Sequence, residues 1–552
     1  MRRRTIQYLV LLFVAAVSTH LYFSAQSSSA DPSKWLEEDD DDDVQIPIPQ
    51  RRLSADVPKR DAIVAAFQHA WSAYERDAMG ADEYHPISHR GTNLSHTGGI
   101  GYTIVDAIDT MLLMGLHDEY TRAAAWVRTS LTFDRDGRSR CFNTFETTIR
   151  VLGGLLSAYH FSSDPMYLTH AVDLADRILP VFDTPSGLPL TSVNLATRRG
   201  IADALVSTAE ATTLQLEFRD LARLTGNATY WHKVEKVMEV VERARLPSNL
   251  APISMNADDG SFARSEIRLG SRGDSYYEYL LKQYLQTDRT EPVYLKMYED
   301  AMAGIHTHLV QTTPTQKLAY IAELMPGGGD WRTSWTLHHK QDHLVCFLAG
   351  SLMLGATTAG ARGGAGRISI PPKERHVSVP PKAGELTDRG QRDWDVGVRL
   401  VEGCMETHRT ATGLSPEIAQ FRSQENTGEE RDWFIKGWRQ GGPPPYDARY
   451  MLRPETTETL FIAYRLTGDT RYRAYAWGIF EAIEKHARLP GGGYATVLDV
   501  DTVPVRHEDK QETFFLSETL KYLFLTFADE DVLPLDGAPH TILDTGAVLT
   551  MD

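Results

Sequence analysis

Cysteine is scarce in this chain, with three in 552 residues. That is too few for a scaffold built on disulfides, and no CxxC pair points to a structural zinc site. GxGxxG, GxxxxGKS/T and GxSxG stretches are also missing, so no motif supports nucleotide binding or serine-hydrolase chemistry. Basic residues are outnumbered by acidic ones, 57 to 74, and the net charge of −17 argues against nucleic acid as the main partner. Strand-like alternation is scarce. Hydrophobic residues at 42% and charged residues at 24% lie near the globular average, so most of the chain can bury a core. At roughly 150 residues per domain three or four domains would fit, although barrels often run this long as one unit.

The N-terminus reads as an address. Arg2, Arg3 and Arg4 precede an 18-residue apolar run from Ile6 to Phe23, between a signal-peptide core and a full span of roughly 20 residues. Positive charge before the run keeps residues 1–5 cytosolic and sends the rest to the lumen. We expect an uncleaved, single-pass type II signal anchor over 6–23; cleavage near Ser24-Ala25-Gln26 is the alternative. Residues 24–60 read as an acidic stem, because the run from Glu37 to Asp43 repels itself and stays solvated. The sequons Asn93-Leu94-Ser95 and Asn227-Ala228-Thr229 fit a lumenal body, 61–552.

Within that body three segments resemble one another: Ala158 to Tyr167, Arg223 to Tyr230 and Arg465 to Tyr472. Each follows an apolar helix and precedes an amphipathic one. Gly226 and Gly468 end the first helix, and Asn227 and Asp469 can cap the next. A weaker copy sits at Gln286-Thr-Asp288. Repeats of two helices suggest an all-α toroid of helical hairpins; an open solenoid is the competing geometry. About one helix length before each turn lies a carboxylate in a small or apolar setting: Glu146, Glu210, Asp274 with Glu278, and Glu455 with Glu458. Acids at matching positions of inner helices would converge on the axis, alongside Arg150, Arg272 and Arg453. Such a set suits glycosidic chemistry or a hard, oxygen-liganded cation such as calcium.

The blocks DAIDTM (106–111), FETTIRVLGGLLSAYH (145–160), GDSYYEYLLK (273–282), DHLVCF (342–347), TGLSPE (412–417), LRPETTE (452–458) and ETFFLSETLKYL (512–523) carry a family resemblance. In order and content the chain resembles the class I α-1,2-mannosidases, glycoside hydrolase family 47, from about Ala62 to Thr545. The resemblance implies an (α/α)7 barrel, calcium dependence and inverting hydrolysis of terminal α-1,2-linked mannose from high-mannose N-glycans on glycoproteins. It implies Glu146 as the acid, acting directly or through a water, and Glu455 as the base. Asp274 is implied as the third catalytic carboxylate and Glu417 as a further proton donor. Inversion needs the two carboxyl groups about 6.5–9.5 Å apart, so that water fits between them. The resemblance also implies that Arg150, Glu210, Arg272, Glu278, His343, Arg453, Glu458, Phe514 and Glu518 line the sugar pocket. Cys346 and Cys404 match the family's disulfide, and Cys141 is left over.

Two segments depart from the family pattern. Thr545 matches the calcium-binding threonine, but Gly546 stands where the family has glutamate and the following His-Pro pair is absent. Residues 357–392, with their Gly run and two Pro-Pro pairs, read as a surface insertion. The leading expectation is a monomeric glycosidase in the endoplasmic reticulum or Golgi membrane that trims N-glycans. Arg272 favours the endoplasmic reticulum type, because the resemblance places an arginine there in that subgroup. The alternative, for which Gly546 speaks, is a catalytically weak, mannose-recognising lectin-like paralogue acting in glycoprotein quality control.

Overall fold

The computed structural model describes residues 53–551 except 136–140, 202, 245, 331–333, 363–376, 425–428, 430, 536–539 and 544–547. The expected anchor and the stem up to residue 52 therefore lie outside the described residues. Among those described, no helix is long and apolar enough to cross a membrane.

Fourteen helices of eight residues or more follow one another among the described residues: α1 (Val57–Ala78), α2 (Tyr102–Leu113), α3 (His117–Ser130), α4 (Gly153–Ser162), α5 (Pro165–Ile178), α6 (Gln215–Thr225), α7 (Ala228–Arg243), α8 (Asp274–Gln286), α9 (Pro292–His308), α10 (Phe347–Thr357), α11 (Asp388–Thr407), α12 (Glu455–Thr467), α13 (Thr470–His486) and α14 (Leu520–Phe527). Their burial alternates. In α12 every residue from Thr456 to Leu466 is buried, whereas α7 buries Tyr230, Val234, Val237, Met238 and Val241 along one stripe. A helix covered all round belongs inside, and a one-sided helix belongs on the surface.

The helix contacts follow the same rule. Neighbouring even-numbered helices touch in turn from α2 to α14, and α2 also meets the π-helical turn Phe515–Thr519 that leads into α14. Each even-numbered helix is backed by an odd-numbered one: α14 by α1, then α2 by α3 and so on to α12 by α13. Close approach within this inner set requires small residues. A Cβ on Gly154 of α4 would lie 2.8 Å from the Val105 carbonyl oxygen of α2.

The corners close as their local chemistry dictates. Ser163, Gly226 and Gly468 adopt left-handed backbone at φ 54°, 68° and 66°. Asp164, Asn227 and Asp469 then cap the next helix, accepting from Met166 N, Thr229 N and Arg471 N at 2.9, 3.1 and 2.8 Å. The weaker fourth corner is built differently, with Pro292 opening α9 and no side-chain cap.

Two boundaries shift from expectation. Helix α1 begins at Val57, and Asp56 N bonds the Phe527 carbonyl at 2.9 Å, so the helical body starts before residue 61. The insertion is shorter than 357–392. Thr387 caps α11, Leu386 is buried, and Ala361 bridges to Leu386, which pins both ends of the loop. The disulfide Cys346–Cys404 is present with a Cα–Cα distance of 6.0 Å, joining the segment ahead of α10 to α11; Cys141 is free and half-buried. A C-terminal hairpin, His540–Leu543 with Val548–Met551, lies against α4, α6 and α8. Its connection holds Thr545 and Gly546, outside the described residues.

Candidate active site

Glu146, Glu210, Asp274 and Glu455 share a cavity because each sits in the first turn of a helical segment that faces it. Asn143 caps a helical turn by accepting from Glu146 N at 2.7 Å, and Ser207 does the same for Glu210 N at 3.3 Å. Asp274 opens α8 and Glu455 opens α12. The partial positive charge of a helix start favours ionised groups there. Short strands fix the intervening loops. Leu205–Ser207 pairs with Ser254–Asn256, and Ala209 N bonds the Arg272 carbonyl at 3.0 Å.

These elements enclose a cavity of about 300 Å³. Glu146, Asp274 and Glu455 line it, as do Arg150, Glu210, Arg272, Glu278, Arg453, Glu458, Phe514 and Glu518. A second cavity of about 510 Å³ shares Glu146, Arg150, Arg453 and Phe514 with the first and extends over Tyr102, Asn143 and Glu512. Two expected site residues stand behind the wall instead. Glu417 is buried and grips Arg453 through two bonds, at 3.0 and 2.6 Å, so it positions the guanidinium and does not face the space. His343 Nδ1 lies 3.0 Å from Glu455 Oε2, and its Nε2 lies 3.1 Å from Thr456 Oγ1. The strand pair Lys340–Asp342 with Ile418–Phe421 places them there, and His343 N donates to the Glu417 carbonyl at 2.9 Å.

Burial and charge divide the acids into two groups. Burial alone would raise Glu146, but the Arg150 charge and its Nε bond at 2.7 Å, with help from Tyr102 and Arg453, hold it below the usual carboxylate range. Glu455 is likewise buried yet lowered, chiefly by its bond to His343 and by Arg453. Asp274 goes the other way. Burial, with Glu278 and Glu455 nearby, pushes it up to about 7 despite the Ser275 amide and Arg453. Burial raises Glu458 to about 8, opposed by Lys282 and reinforced by Glu278 and Glu455. Glu518 rises well above the usual range for the same first reason, and burial also raises Glu210.

Phe514 is only 8% exposed, with the Arg150 and Arg453 guanidinium carbons 5.2 and 5.8 Å from its ring. It therefore holds two arginines through cation–π contact in addition to lining the wall. Arg272 is exposed at φ 72°, and among the described residues it makes no ion pair. Glu278 is taken by Lys282 four residues on, and Lys282 also lies 3.8 Å from Glu458. Reasoning from sequence missed Lys282, Tyr102 and Asp106, whose buried carboxylate lies 3.7 Å from the Arg150 guanidinium. Lys282 was findable, since an i, i+4 lysine on the face of an axial acid belongs with it. Among the described residues no group of three or more His, Cys, Asp or Glu is arranged to hold a metal.

Comparison with known proteins agrees with this geometry. The chain is 40% identical to an endoplasmic reticulum mannosyl-oligosaccharide 1,2-alpha-mannosidase of Schizosaccharomyces pombe, over 97% of this chain and 95% of that protein. It is also 40% identical to a mannosyl-oligosaccharide 1,2-alpha-mannosidase of Candida albicans, over 85% and 80%. The solved alpha-1,2-mannosidase from Trichoderma reesei superposes with a TM-score of 0.77 at 25% identity, covering 90% of this chain and all of that one. Residues 66–547 match the profile of Glycosyl hydrolase family 47, and the chain belongs to that family of glycoside hydrolases.

Proposed function

We propose that this chain removes terminal α-1,2-linked mannose from high-mannose N-glycans with inversion, on an (α/α)7 barrel. The observation that carries the reading is the meeting of Glu146, Asp274 and Glu455 in one cavity with Arg150 and Arg453. The unbroken run of inner-helix contacts supports the barrel.

A terminal mannose enters the smaller cavity, and the second, adjoining cavity takes the sugars to which it is linked. Glu455 stays ionised beside His343 and Arg453 and takes the proton of the attacking water. Asp274 still holds a proton near neutral pH and gives it to the glycosidic oxygen. Glu146, expected from the resemblance to be the acid, is held ionised by Arg150, so its chemistry suits orienting a water or hydroxyl better than donating a proton. Each arginine offers charge-assisted donors to sugar hydroxyls.

The donor set fits calcium. The cavity wall gathers carboxylates whose protons are held first by burial and then by neighbouring acids, Glu458 and Glu518 above all. No thiolate or imidazole lines that cavity. Thr545 would hold the ion, with Glu458 and Glu518 ordering its water; when bound, it supplies positive charge that relieves the crowded acids and orients sugar hydroxyls.

The N-terminal run is read as a type II anchor that puts the catalytic body in the lumen. The Schizosaccharomyces pombe relative, an endoplasmic reticulum mannosidase by name, supports the endoplasmic reticulum over the Golgi. A time course on a nine-mannose glycan, with and without chelator, tests the proposal. Chelator-sensitive release of mannose with the inverted anomer formed first is expected. Glycan binding without release at any calcium level would overturn the enzyme reading in favour of the lectin-like one.

A further inference from the structure

The mechanism leaves Asn227 unused. It caps α7 at the corner where α6 ends, about 16 Å along an eleven-residue helix from the end that carries the cavity. Two corners of the same design are capped by Asp164 and Asp469. Capping uses only the side-chain oxygen, and Asn227 Oδ1 accepts from Thr229 N at 3.1 Å. The Nδ2 group is not required for that bond; it meets the Tyr230 hydroxyl, for which one of its two N–H groups suffices.

Asn227 opens the sequon Asn227-Ala228-Thr229, and every residue from Thr225 to Thr229 is exposed. The preceding Gly226 faces open space, since a Cβ there meets nothing within 4 Å. The chain's other sequon, at Asn93, is folded in. Asn93 Oδ1 accepts from Asp82 N at 3.1 Å, Leu94 N donates to Asp82 Oδ2 at 3.0 Å, and Ser95 is 4% exposed with its hydroxyl 2.9 Å from Thr97 Oγ1. A branched sugar on Asn93 would displace the loop that receives the buried Asp82. On Asn227 it would project into solvent.

We propose that Asn227 carries an N-linked oligosaccharide and that Asn93 does not. The donor is a lipid-diphosphate-linked oligosaccharide, used by the transferase of the lumen while the chain enters. A bond forms between Asn227 Nδ2 and C1 of the first sugar, the bond from C1 to the diphosphate oxygen breaks, and the amide proton leaves as the diphosphate departs. The Oδ1 lone pairs are untouched, so the modified side chain still caps α7. The glycan stands on the barrel end opposite the cavity, where it leaves substrate access open. This assignment rests on the lumenal placement proposed above.

The test is site mapping of the full chain made in eukaryotic cells. Peptides are released after N-glycosidase treatment in isotopically heavy water, which marks each formerly glycosylated asparagine as a labelled aspartate. Label at Asn227 and none at Asn93 is expected, with the mobility shift lost in Asn227→Asp and Thr229→Ala but kept in Asn93→Asp. Asn227→Asp retains a capping oxygen, so its melting point and kcat/KM should match those of deglycosylated wild type. The Cys346–Cys404 bridge reports independently whether the chain reached an oxidising lumen. An unlabelled Asn227 in bridged protein overturns the inference alone, as does label at Asn93; an unlabelled Asn227 in reduced protein overturns the lumenal placement and the inference together.

Discussion

Replacing Asp274 by Asn separates the two acids. In the wild type, burial is the largest influence on Asp274, and the neighbouring charges of Glu278 and Glu455 add to it, so the proton leaves at about pH 7. Glu455 loses its own proton below the ordinary carboxylate value. An acid works protonated and a base ionised, so kcat/KM should rise through the acidic limb set by Glu455 and fall through neutrality with Asp274. From pH 7 to pH 8 the protonated share of Asp274 drops from about one half to about one tenth, predicting a fall of roughly fivefold. An amide keeps the shape and cannot donate that proton, which on a natural glycan should cost about 10²–10⁴-fold, or roughly 3–5 kcal/mol. An α-mannosyl fluoride leaves without a proton, so on that substrate the variant should stay within about tenfold of wild type. Stability runs the opposite way. A carboxylate with a raised folded pKa contributes fully below its unfolded value and loses that contribution as pH climbs through 7. The Asn variant should therefore melt higher at pH 8, by a free energy on the order of 4 kcal/mol at most. Equal loss on glycan and fluoride, or a basic limb that survives in the variant, refutes the assignment. Loss of that limb in Glu146→Gln instead hands the role to Glu146.

Arg272→Leu should relax branch selection. Wild type is expected to pause at a single eight-mannose isomer, and the variant to release further α-1,2-mannoses at comparable rates, because each lost charge-assisted bond is worth about 1.5–3 kcal/mol; isomer-resolved chromatography checks this, and an unchanged product pattern rejects it. His343→Ala removes the bond that holds Glu455 down, so the acidic limb of kcat/KM should move to higher pH with little change in KM, since His343 does not line the cavity; an unmoved limb shows that His343 does not tune the base. Cys346→Ser opens a loop of 58 residues, and chain entropy alone puts the loss at about 4 kcal/mol; a denaturant midpoint unchanged from wild type would contradict it.

The corners and the inner carboxylates were legible in the sequence because both are local. Gly226 and Gly468 suit left-handed backbone, and an Asn or Asp follows each, so the turn needs no distant partner to be read. Glu146, Glu210, Asp274 and Glu455 recur with the repeat, and whatever puts one helix start at the cavity puts the others there. Glu417 and His343 were misplaced for the converse reason. Their flanking residues look like those of the lining acids, and only the strand pairing of 340–342 with 418–421 turns them behind Arg453 and Glu455. The start of the body was set too late because composition alone marked the end of the acidic stem. What anchors residues 53–56 is a set of bonds to Phe527, Asp529 and Glu530, more than 470 positions away.

Two of the ten non-glycine residues with left-handed backbone among the described residues stand beside the cavity acids. Arg272 and Leu452 hold left-handed backbone at φ 72° and 62° without being glycine, a conformation that costs on the order of 1–3 kcal/mol. Each is tied across a helix boundary. The Arg272 carbonyl accepts from Ala209 N, in the short helix that carries Glu210, and the Leu452 carbonyl accepts from Thr519 Oγ1 at 2.6 Å, in the turn that carries Glu518. Asp274 lies two residues beyond the first tie and Glu455 three beyond the second. Glu146 shows the same bias. At the third position after an Asn cap a glutamate ordinarily reaches back to the cap's own N–H, whereas here its side chain meets Arg150 and Tyr102. The forced residues therefore join neighbouring inner helices just ahead of the acids. One backbone bond and one side-chain bond thus tie neighbouring helical segments beside these acids, and the packing of the helices around them keeps both closed.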